Sequence, residues 1–124
     1  MTRRNSHVAA RALLAAAAIV ALGLGTAACG SGSETFSINA VKNGDQPASY
    51  APTTVTADKS DDVTFKVGNQ TTTQHGFSIE GYDVQEVVPP GQTVDVKITA
   101  GKGGTYKIYC QLHPTHQPAT LVVQ

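Results

Sequence analysis

The 124-residue chain has no tryptophan, one methionine at position 1, two cysteines, and only 15% charged residues. Each shortage narrows its function. Nine basic and nine acidic residues leave no surplus of positive charge, which argues against the basic face that nucleic acid requires. Its longest apolar run, Ala12 to Leu24, covers thirteen residues and is too short to span a bilayer as a helix. Beyond it, no helix of any length is indicated by the apolar spacing. There is no glycine-rich phosphate loop, and Ser78 has no acid–base pair marked by sequence. With methionine confined to Met1, the body of the chain offers no thioether to a metal.

The amino terminus reads as an address rather than a domain. Arg3, Arg4 and Arg11 form a basic segment around the start of the apolar run, and Thr26-Ala27-Ala28-Cys29 follows it. Small residues ending in cysteine resemble a bacterial lipobox, with Thr26 standing where leucine is commoner. The resemblance implies a signal peptide over 1–28, lipid on Cys29, a tether over 29–33 and a domain over 34–124. The protein would then be anchored at the outer face of the cytoplasmic membrane, in the cell envelope. An ordinary secretory signal cut beside an unmodified Cys29 is the plainer alternative. Arg3-Arg4 also raises twin-arginine export, but Asn5-Ser6-His7 lacks the apolar residues expected next. All three arginines leave with the signal, so six lysines then face nine acids.

If Cys29 carries lipid, Cys110 has no partner within the chain. A lone thiol in an oxidising compartment is exposed to oxidation and crosslinking, and a metal bond removes that hazard. A buried inert cysteine is the alternative reading.

The remainder reads as strands and turns. Phe36, Ile38 and Ala40 alternate with polar neighbours, as do Val63, Phe65 and Val67, and later Val94, Val96 and Ile98. Thr53–Ala57, His75–Glu80, Val84–Val88, Gly104–Tyr109 and Leu121–Val123 complete the set. Asn43-Gly44-Asp45, Gly81-Tyr82-Asp83, Pro89-Pro90-Gly91 and Gly101 to Gly104 are turns, and Gln46 to Pro52 reads as loop. Seven to eight short strands at regular spacing predict an all-β Greek-key β-sandwich.

The chemistry sits near the end, where Cys110, His113 and His116 form a C-x2-H-x2-H spacing within one proline-punctuated loop. A thiolate and imidazoles are ligands that copper and zinc prefer. Cys110 with His113 as a thiol nucleophile is conceivable, but so small a domain leaves little room for a substrate cleft.

Thr-Tyr-x-x-x-Cys-x-x-His-Pro-x-His followed by a valine-rich strand resembles the copper loop of cupredoxins, nearest the short-loop amicyanin type. The resemblance runs from about Val63 to Gln124. It implies a type 1 copper site with His75, from an upstream strand end, as the third equatorial ligand beside Cys110 and His113. It also implies that electrons cross at the His113 edge, within an apolar collar of Leu112, Pro114 and Pro118. Two positions depart from the family pattern. His116 stands where methionine is usual, as a fourth ligand or as a residue pointing to solvent; one cysteine with three histidines would also suit zinc, as a competitor of copper. Gly76 stands where asparagine commonly ties the ligand loops together, so a looser surrounding of the site is expected. The expected function is one-electron transfer with an envelope redox protein, not enzymatic catalysis. Copper binding and delivery to an acceptor is the alternative.

Overall fold

The computed structural model describes residues 32–124. The segment expected to be a signal peptide, Cys29 with its expected lipid, and most of the expected tether lie outside the described residues. Nine strands follow in order: β1 (Ser33–Val41), β2 (Ser49–Ala51), β3 (Thr54–Ala57), β4 (Asp62–Asn69), β5 (His75–Ile79), β6 (Gln85–Val88), β7 (Thr93–Thr99), β8 (Gly104–Tyr109) and β9 (Ala119–Val123). Among the described residues no helix is long and apolar enough to cross a membrane.

The alternating apolar residues sort the strands into two layers. One sheet has the order β2-β1-β4-β7 and the other β3-β9-β8-β5-β6. The β1–β4 and β3–β9 pairs are parallel, and the remaining neighbours run antiparallel. Ile38, Phe65, Phe77, Ile108 and Leu121 are fully buried, drawn from both sheets. Phe65 of one sheet meets Phe77 of the other with ring centroids 5.5 Å apart. Burying side chains of this size contributes roughly 1.5–3 kcal/mol each, so the two faces hold each other as a sandwich.

Two boundaries differ from the sequence reading. The segment read as loop from Gln46 to Pro52 contains β2, a ninth strand, paired to the end of β1 through Asn39–Ala51, Ala40–Tyr50 and Val41–Ser49. Flanking prolines conceal it in the sequence, while burial of Tyr50 holds it in place. Strand β1 begins at Ser33, assigned above to the tether. Gly32 is already fastened: its N–H donates to Asp61 Oδ1 at 2.6 Å, and its carbonyl accepts from the Asp62 N–H at 2.9 Å.

One end of the sandwich gathers the chemistry because β5 and β8 are antiparallel neighbours. Ser78 pairs with Tyr109 and Ile79 with Ile108. The start of β5 therefore lies beside the end of β8, which brings His75 to the loop that carries Cys110, His113 and His116.

Candidate metal centre

Each histidine reaches this end by a separate local device. Asn69, at the end of β4 and 2% exposed, folds the following loop around its side chain. Its amide donates to the Thr73 and Val88 carbonyls at 2.7 and 2.8 Å, and its Oδ1 accepts from the Thr71 N–H and hydroxyl. That loop presents Thr73 Oγ1 at 3.4 Å from His75 Nε2. With the Nε2 proton directed at this hydroxyl, the Nδ1 lone pair is left facing Cys110. After β8, the Cys110 loop turns over His113-Pro114-Thr115-His116, closed by the His116 N–H on the His113 carbonyl at 3.0 Å. Proline in the second position of such a turn presets its backbone. The Gln117 N–H then ties the loop to the Ala48 carbonyl at 2.8 Å.

Three donor atoms converge. Cys110 Sγ lies 4.0 Å from His75 Nδ1 and 3.6 Å from His113 Nδ1. The donors of His75, Cys110 and His113 all lie within 4.8 Å of one another. Cys110 and His75 are buried, and His113 is half-buried. The Gly76 N–H donates to Sγ at 3.1 Å.

His116 belongs to the same cluster but not to that tight set. Its ring lies 5.0 Å from His75 and 4.3 Å from Tyr50, and only 6% of the residue is exposed, so it does not point to solvent. Its Nδ1 is 3.0 Å from the Gln117 carbonyl, which accepts only if Nδ1 carries the proton. Nε2 is then a lone pair, buried and without a hydrogen-bond partner. Such an orphan costs about 1–3 kcal/mol unless something satisfies it. A soft thiolate, two imidazole nitrogens and this unpaired third imidazole suit copper.

Burial, and secondarily the neighbouring His116 and His113, push His75 down to about 4. Burial also lowers His116, opposed by its bond to the Gln117 carbonyl and reinforced by His113. The unfolded chain thus binds protons, from about pH 6.5 downward, that the folded one refuses. Stability contributed by these neutral histidines is present above that range and lost as pH falls. Metal-free protein should unfold at progressively lower urea from about pH 6.5 toward about 4. A level midpoint across that window contradicts neutral, buried imidazoles.

Two neighbours of the site carried no signal in the sequence. Tyr50 of β2 donates its hydroxyl to the Gly76 carbonyl at 2.6 Å. Burial, and secondarily the charge of Cys110, push its ionisation far up, so it remains a donor. Gln111 lays its side chain over Gly76, donating to the Glu86 carbonyl at 2.9 Å and accepting from Ser78 Oγ at 2.8 Å. The loose surrounding expected from Gly76 is therefore not what the structure shows. Two cavities open on the centre. One of about 370 Å³ reaches His75 and His113 beside Lys42 and Thr115, and one of about 250 Å³ reaches Cys110, His113 and His116 beside Pro114 and Pro118.

The family model of the cupredoxin-like domain matches residues 13–123. The chain belongs to the cupredoxin-like family. No curated protein sequence matches this cupredoxin. Among solved structures, it is similar to auracyanin A, a blue copper protein from the green thermophilic photosynthetic bacterium Chloroflexus aurantiacus. The TM-score is 0.60 at 20% identity, over 75% of this chain and 100% of that one. It is also similar to the multicopper oxidase mgLAC (TM-score 0.65, 15% identity) and to a blue copper oxidase from Nitrosomonas europaea (0.59, 19%). Each of these matches covers 74% of this chain, which spans 39% of the length of either oxidase. At these identities the likeness is one of fold.

Proposed function

We propose that this cupredoxin binds one copper ion through His75, Cys110, His113 and His116 and serves as a one-electron carrier rather than an enzyme. The observation that carries the reading is the convergence of one cysteine sulfur and two histidine ring nitrogens within 4.8 Å of one another. Copper, when bound, supplies the Cu(I)/Cu(II) couple. The protein's part is to hold its donors still. Strand β5 and the proline turn fix them from opposite sides, the Gly76 N–H donates to the cysteine sulfur, and His116 offers the remaining lone pair. The half-buried His113, ringed by exposed Leu112, Pro114 and Pro118, is the edge through which a redox partner would exchange electrons. Optical and paramagnetic spectra of the copper-loaded protein test the site. An intense visible thiolate-to-copper band is expected, and its absence contradicts the carrier reading.

The cavity against His75 and His113 favours a second reading, copper delivery, because it opens a path to two donors. Zinc would compete for the same ligands. We place the protein at the outer face of the cytoplasmic membrane, held by lipid on Cys29, with an envelope redox protein or copper acceptor as partner. Cys29→Ala should leave the precursor uncleaved or misplaced. Equal recovery of cleaved, membrane-bound protein from that variant contradicts the anchor.

A further inference from the structure

Gly76 occupies an ordinary strand position, and no left-handed backbone requires glycine there, in contrast to Gly44, Gly81 and Gly91. What it provides is space. A Cβ at this position would overlap Oε1 and Cδ of Gln111. The Gln111 amide fills that notch with both ends engaged. Oε1 accepts from Ser78 Oγ on β5 at 2.8 Å, and Nε2 donates to the Glu86 carbonyl on β6 at 2.9 Å. Ser78 is 1% exposed, so its hydroxyl depends on this partner. The β5–β8 ladder holds only the Ser78–Tyr109 and Ile79–Ile108 pairs. Past its end, hydrogen bonds through the side chains of Cys110 and Gln111 tie the ligand loop to β5, Cys110 through the Gly76 N–H and Gln111 through Ser78.

We propose that Gln111 is a positioning residue for the metal centre, a clasp whose side chain, seated in the notch at Gly76, fixes the His75–Gly76 peptide against Cys110. It rests on the copper site proposed above and adds a determinant of that site's redox properties. Without the clasp, the Gly76 N–H is held less firmly against Sγ. Hydrogen bonding to the sulfur raises the potential of a copper–thiolate site. Its weakening leaves the thiolate a stronger donor, which lowers the potential and moves the charge-transfer band to longer wavelength.

The overlapping atoms are the free end of a flexible side chain, so Gly76→Ala should displace the Gln111 amide rather than distort the strand. Gly76→Ala, Gln111→Ala and the double variant should therefore behave alike. In each, the folding equilibrium constant of the metal-free protein should fall about tenfold, the order expected for loss of a partly buried hydrogen-bonding partner, with no further loss in the double variant. In each copper-loaded variant, the band should move to longer wavelength and the reduction potential should fall by the same amount. Additive stability losses, or a wild-type band and potential that none of the three variants changes, overturn the proposal alone. Absence of a thiolate band from the wild type as well overturns the copper site and this proposal with it.

Discussion

Replacing Cys110 with serine should abolish the intense visible absorption expected of the copper-loaded protein while leaving the sandwich folded. The residue is 6% exposed at the end of β8, and only its sulfur takes part in the converging donor set. Serine matches the shape but offers a neutral, harder oxygen that does not ionise near neutral pH, so the charge-transfer chromophore is lost at its source. The Gly76 N–H keeps an acceptor within reach, and no core strand is disturbed. Copper affinity should fall by more than the roughly 10–100-fold that loss of an outer hydrogen-bond partner costs a metal site. Circular dichroism and copper titration separate the two effects. A serine variant that keeps the band identifies another residue as its source.

Replacing His116 with methionine should raise the reduction potential of the copper-loaded protein and shift its spectrum toward that of a bluer, more trigonal site. The histidine is buried, its Nδ1 is engaged by the Gln117 carbonyl, and its Nε2 has no partner. Imidazole is the harder donor and favours the oxidised metal, whereas thioether favours the reduced one. The pH response follows from the same ring. Burial holds His116 below its ordinary range, so it is neutral at neutral pH and gains its proton only in acid. Copper-loaded wild type should show a spectral transition below about pH 6.5, displaced further down by competition with the metal. The methionine variant should lack it. An unchanged spectrum and potential would mean that Nε2 of His116 does not donate to copper.

Much of this was legible from residue order because it depends on local chemistry. The alternation of Val63, Phe65 and Val67 marked one face of β4, and Cys110, His113 and His116 share one short loop. His75 was legible only through the family resemblance, since what brings it to Cys110 is the antiparallel register of β5 and β8, set by pairs 31 and 29 residues apart. Strand β2 was hidden because three residues between prolines carry no period, and its reason to exist is the burial of Tyr50 and its bond to Gly76. Asn69 read as one more polar loop residue, yet its side chain organises the approach to His75. The relation of Gly76 to Gln111 was the least visible. A missing side chain on one segment makes sense only once the neighbouring segment is seen to fill its place.

The central claim is that the assembled donors hold copper through a change of one electron, and repeated redox cycling under a strong copper chelator tests it most directly. The protein should be oxidised and reduced through many cycles at a single reversible potential, with copper content unchanged and the visible band returning to full height. Loss of copper to the chelator on each reduction, with the band fading in step, would contradict electron transfer and leave delivery of Cu(I) as the function of this site.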